Sequence, residues 1–186
     1  MTERGRAAFA ALALATACAA APAAGAHYAL PPDLGADTHG ELTLLRNGRP
    51  VGAPRTEPDQ EGFEQVRVSA DGRTVGWVAA LANCCTSYPL PRVLVLLRDD
   101  RVLARFDRAP PIFGWAFVPG RDEVVIQQQS PHGPEYLTFT RVRIADGREL
   151  ARYECDQDER THAPRPPWSR AVDVPCPDYV PRPEEQ

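Results

Sequence analysis

The feature that most constrains this chain is an order of alternating segments that comes round twice. Residues 64–81, EQVRVSADGRTVGWVAAL, alternate apolar with polar on either side of an Asp-Gly pair, and residues 92–107, RVLVLLRDDRVLARFD, do the same around Asp99 and Asp100. Each reads as strand, turn, strand. The order returns in residues 114–129, GWAFVPGRDEVVIQQQ, and in residues 135–154, which turn at Asp146 and Gly147. Laying Leu103–Phe106 over Leu150–Tyr153 gives a period of 47, and laying Val68 and Val75 over Phe117 and Val124 gives 49. A further hairpin, LTLLRNGRPVG at residues 42–52, aligns with residues 94–104 at an offset of 52.

Four strands per unit at this spacing is the signature of stacked meanders, because a single four-stranded sheet cannot bury its own faces. The sequence therefore predicts an all-β fold of about ten antiparallel strands: two four-stranded propeller-like blades plus an N-terminal hairpin. Residues 41–155 form this domain, residues 27–40 lead into it, and residues 156–186 follow as an acidic, Pro-rich tail in extended conformation, pinned by Trp168 and Cys176. If the repeat places Trp77 and Ile126 equivalently, both are buried on second strands, with the Asp71-Gly72 and Gly120-Arg121 turns at a common end. Closed propellers use about four to eight blades, so two units do not close within one chain. An open stack, a sandwich and assembly with another chain are the architectures that manage the exposed edges.

The segment VSADGRTVGW, Val68 to Trp77, resembles the S-P-D-G signature of WD40-like, TolB-type propeller blades, with Ala70 in the place of the usual Pro. In the second unit FVPGRDEVVI keeps Pro119 and the apolar positions. The resemblance covers residues 41 to 154 and implies blade-like packing. The arrangement of NCCTSYP, HG and GRELARY also resembles an uncharacterised family of secreted bacterial proteins, which implies no activity.

Arg4 and Arg6 precede the apolar run AAFAALALATA, residues 7–17, too short to span a bilayer and matched to the core of a secretory signal. Ala24-Gly25-Ala26 fits a cleavage site, so residues 1–26 read as a signal peptide and His27 as the mature N-terminus. LATAC offers an alternative in which Cys18 carries a lipid anchor. Both readings place the protein in the periplasm or beyond. All 21 basic residues are Arg, as in a GC-rich bacterial genome, and the formal charge is −4. Removing residues 1–26 leaves 19 Arg against 24 acidic residues, or −5. No basic run offers a footprint for nucleic acid, and no later segment reads as a membrane span.

Export leaves Cys84, Cys85, Cys155 and Cys176, an even set in an oxidising compartment. Neighbouring Cα atoms lie about 3.8 Å apart, below the usual disulfide range of about 4.4 to 6.8 Å. The expectation is that Cys84 and Cys85 take Cys155 and Cys176 in some order.

In an up-and-down meander, residues 83–91, 108–111, 130–135 and the chain after Cys155 emerge at one end. Asn83, Ser87, Tyr88 and His132 are the candidate binding residues of that face, contacting a protein or glycan of the cell envelope. An alternative is copper or zinc, redox-active or not, held by an N-terminal His27 or by Cys84 and Cys85 with His132. No C-x-x-C, H-E-x-x-H, G-x-S-x-G or S-x-x-K motif is present, so no catalytic residue and no cofactor is assigned. His39 and His162 lack ligand spacing, and the carboxylates of residues 155–159 lack the glycine of a calcium loop.

Overall fold

A computed structural model describes residues 25–34, 37–84, 87–130, 133–155, 164–174 and 176. The fold is all-β, with three antiparallel sheets, none of them closed. Its strands are β1 (Tyr28–Ala29), β2 (Asp37–His39), β3 (Thr43–Arg46), β4 (Arg49–Gly52), β5 (Gln60–Val68), β6 (Thr74–Leu81), β7 (Leu90–Arg98), β8 (Arg101–Asp107), β9 (Ile112–Phe117), β10 (Glu123–Ser130), β11 (Gly133–Arg143) and β12 (Glu149–Cys155). The sheet orders are β1-β3-β4, β2-β5-β6-β7-β8 and β12-β11-β10-β9. β5 to β8 and β9 to β12 are thus two successive four-stranded meanders, called here unit I and unit II. Among the described residues there are twelve strands where about ten are expected, because the lead-in is not a plain linker. Its β1 pairs with β3, and its β2 adds a fifth strand to unit I.

The sheets stack face to face. Along β6, Val75, Trp77 and Ala79 point into a core shared with the β1-β3-β4 sheet, where they meet Tyr28, Leu42 and Leu44. Val78 points the other way, with Leu94 and Leu96 of β7, to meet Ile112, Trp115, Val124 and Ile126 of unit II. Successive side chains of a strand face opposite sides of the sheet, so a strand covered on both sides must be apolar throughout. That requirement accounts for the unbroken run VLVLL in β7. Trp77 and Trp115 are fully buried. Each removes about 150–250 Å² of aromatic surface from water, worth at most roughly 4–6 kcal/mol at about 25 cal/mol per Å².

Unit II's outer face carries Val125, Leu137, Phe139 and Cys155 and is covered by the tail through Val172, Trp168 and Val174. The tail is not extended throughout. Pro166 is extended, and Pro167–Ala171 then form a 3-10 turn in which the Ser169 hydroxyl donates to the Pro166 carbonyl. Arg165 holds this strap, its guanidinium 4.1 Å from the centre of the Phe139 ring while donating to the carbonyls of Ser169, Val172 and Val174. Burial pulls the Arg165 pKa below the ordinary guanidinium value. No helix among the described residues is long and apolar enough to cross a membrane.

The candidate binding ends of the sheet stack

Up-and-down connectivity sends the β6–β7 loop, the β8–β9 link and the β4–β5 link to one end of the stack. There, Ala82 donates its amide to the Asp59 carbonyl at 2.9 Å, and Gln128 reaches the Pro110 carbonyl with its side-chain amide at 2.8 Å. Arg105 of β8 forks onto Glu57 at 2.5 to 2.9 Å. Gln60 is almost wholly buried, yet its carboxamide accepts from the Thr56 amide and donates to the Gly62 carbonyl. These bonds fix the loops to the sheets that carry them.

Within that frame the Asn83 side chain donates to the Tyr88 carbonyl at 2.9 Å, closing the loop like a clasp. Tyr88 stands 50% exposed, and Ser87 and Cys84 are exposed beside it. Phe113, at the start of β9 and so at the same end, is 40% exposed. Asn83, Ser87 and Tyr88 are therefore brought together. Cys85 and His132 lie outside the described residues, as do Cys18, His162 and the acidic run after Cys155. Among the described residues no three His, Cys, Asp or Glu side chains are grouped to hold a metal.

The cysteine pairing differs from the expectation. Cys155 is bonded to Cys176, 21 residues along the chain, and neither is joined to Cys84. The reason is orientation. Cys155 ends β12 on the outer face of unit II, 2% exposed, where its side chain faces the strap and not unit I. Sharing an end of the meander was not enough, because Cys155 faces the strap on the outer side of unit II.

The opposite end was assigned only turns, and the structure puts more there. The segment before β1 docks across three of them. Ala26 donates its amide to Asp99 at 2.8 Å, and His27 exchanges bonds with Asn47, amide to side-chain oxygen and carbonyl to amide. The His27 ring packs on Gly72, where a Cβ would stand 2.2 Å from its Nε2. His27 is thus at the turn end, far along its strands from the cysteine loop. The buried Tyr28 hydroxyl donates to the Asp100 carboxylate and accepts from the Asp100 amide, and desolvation raises its pKa. Asp99 and Asp100 both have positive φ, as a two-residue type I′ turn requires.

Also at this end, a cleft of about 810 Å³ opens between the units, with Val66, Val68, Phe117 and Ile144 among its apolar lining and Arg67, Arg98 and Arg121 at its margins. Sequence reasoning passed over it because it assigned β5 an uninterrupted alternation. The signal was present in the polar run Glu64-Gln65 before Val66, where the alternation slips. Comparisons with models of protein families, with curated proteins and with solved structures found no match to this chain.

Proposed function

We propose that this chain is an exported interaction module of the bacterial envelope, a propeller-like stack of two blades and a hairpin that binds a protein or glycan through its loop end. The observation that carries the reading is the placement of exposed aromatics. Among the described residues the exposed large aromatic side chains are Tyr88 and Phe113, and both belong to that end. Aromatic anchors on a fixed scaffold supply contact area at low entropic cost, which is why they concentrate binding energy in interfaces. Asn83 supports this by holding the loop that presents Tyr88. Ser87 supplies a hydroxyl beside the ring for a carbonyl or sugar hydroxyl.

A photo-crosslinking amino acid placed at position 88 in producing cells tests the reading. The expected result is a discrete adduct in the envelope fraction that position 146, at the turn end, does not give. Equal labelling at both positions, or none at 88, sinks it. Stoichiometric copper or zinc in protein purified from the envelope would replace it with the metal-binding reading.

A further inference from the structure

The cleft at the turn end lies between two strand edges. On one side, β5 pairs with β2 only as far as Glu64. It then bulges: Glu64 opposes Val78 and Arg67 opposes Gly76, so Gln65 and Val66 share the place opposite Trp77. Gln65 takes φ +51, which costs a residue with a side chain about 1–3 kcal/mol and persists only where the surroundings enforce it. The enforcing contact is the Trp115 indole of unit II, which donates to the Gln65 carbonyl at 2.8 Å. Immediately after this pin on both strands, Val66 and Ala116 begin to line the cleft.

On the other side, β9 is the edge strand of its sheet. The Val118 amide donates to the Glu123 carbonyl, which makes 118 and 123 a bonded pair. Antiparallel pairs alternate between bonded and non-bonded, so Phe117 opposite Val124, and Trp115 opposite Ile126, turn their backbone N–H and C=O away from β10. The same alternation turns Val68 outward on β5, since the Ser69 amide donates to the Thr74 carbonyl. An occupant must therefore satisfy backbone donors and acceptors repeating at about 6.8 Å, twice the rise of a strand residue. An acyl chain would leave them buried without partners, at about 1–3 kcal/mol each. A second extended backbone matches them.

Charge narrows the choice. Three guanidiniums border the cleft against Asp71 and Asp122. Asp71 already accepts from the Ser69 hydroxyl and the Arg73 amide, and Asp122 faces Arg98 at 3.8 Å. Arg121 lies 3.7 Å from Glu123, so Arg67 is left to meet an incoming anion.

We propose that this cleft binds an extended peptide segment of another protein, about four residues long at roughly 3.4 Å each, added as a strand to β9 with apolar side chains toward the cleft and acidic ones toward Arg67. This is the strand-addition mode of recognition, in which main-chain bonds give affinity and alternate side chains give specificity. It is a second site, at the end of the stack opposite Tyr88.

The test uses the full mature chain labelled with nitrogen-15 and the capped hexapeptide Val-Glu-Val-Glu-Val-Glu. Saturable amide shifts are expected at residues 66–68 and 115–118, unchanged in a Tyr88→Ala variant. A hexapeptide N-methylated at alternate residues should bind at least tenfold more weakly. Arg67→Glu with Arg121→Glu, both at the margin and not in the core, should invert the preference toward Val-Lys-Val-Lys-Val-Lys. No saturable shift with either peptide, equal binding of the N-methylated peptide, shifts confined to residues 87–90, or occupation of the cleft by decanoate in preference to peptide would each overturn the proposal.

Discussion

Units I and II are the same meander finished in two ways. Their first turns carry the same backbone bonds at an offset of 49: Ser69 to Thr74 and Gly72 to Ser69 recur as Val118 to Glu123 and Arg121 to Val118. Trp77 and Ile126, 49 apart, are both fully buried on second strands and both face the preceding layer. The difference lies in what covers the other face. In unit I a Cβ on Gly76 would stand 2.7 Å from the Trp115 ring of unit II, and in unit II a Cβ on Gly114 would stand 2.6 Å from Val172 of the strap. Each sheet leaves a glycine-sized socket for the layer above it. Unit I fills its socket with a whole sheet; unit II fills its own with a few residues of tail. A sheet brings its own hydrogen-bonded rigidity to the contact, whereas a strap has little area and must be tied, by Cys155–Cys176 and by Arg165.

The largest effects should come from the layers that full sheets cover. Trp115→Ala removes the indole from the Gly76 socket and the pin on Gln65 together, and should cost about 3–5 kcal/mol. Trp77→Ala should cost a similar amount and Ile126→Ala about 2–5 kcal/mol, read from urea midpoints at unchanged slope. Losses below about 1 kcal/mol at Trp77 and Ile126 would break the equivalence of the units, since exposed positions behave that way.

The strap should respond next. Cys176→Ala opens a covalent loop spanning 21 residues, which the chain-entropy model values at about 3 kcal/mol. Limited proteolysis should then cut within residues 164–174 while unit I stays intact. Arg165→Lys keeps the charge but not the planar fork that reaches several carbonyls at once, and should cost about 1–2 kcal/mol. Because both substitutions loosen one strap, the double variant should lose less than the sum of the two. Additive losses would mean that the strap is not a single unit.

The sequence made the repeat legible because period two and turn dipeptides are local properties, and β3 to β12 fall close to where alternation and the Asn-Gly, Asp-Gly, Asp-Asp and Gly-Arg turn pairs place them. The lead-in strands were not legible. β1 and β2 are two and three residues long, too short for alternation to register, and they exist because partner edges were waiting. Cysteine connectivity was misread for a related reason. Which end of a meander a residue occupies follows from strand order, but which layer it faces depends on packing partners, and Cys155 faces the strap. Asn83, Ser87 and Tyr88 lie at a common end because they share one short loop. The slip at Glu64-Gln65 marks the bulge locally, but the indole that holds it lies 50 residues away, and no local pattern encodes that partner.

The smallest expected effect tests the turns that the units share. In unit I the backbone bonds are reinforced by side chains: Asp71 accepts from the Ser69 hydroxyl at 2.6 Å and from the Arg73 amide at 3.0 Å. At the matching place in unit II stands Gly120, with φ +69, and only the backbone bonds remain. The Ser69 hydroxyl, then the Arg73 amide, lower the Asp71 pKa from the ordinary carboxylate value. A folded pKa below the unfolded one means stability that is present above the unfolded value, about 3.9, and is lost as pH falls through the folded value. Asp71→Asn should therefore cost something at pH 7, less than about 1 kcal/mol because the carboxylate is exposed and screened by solvent. The gap between variant and parent should shrink below about pH 4. Asp146 and Glu149 also have lowered values and titrate nearby, so variant and parent must be compared at each pH, where those groups cancel. A gap that stays constant down to pH 2.5 would show that ionisation of Asp71 does not hold the turn, and no gap at any pH would show that unit I's turn, like unit II's, is held by its backbone alone.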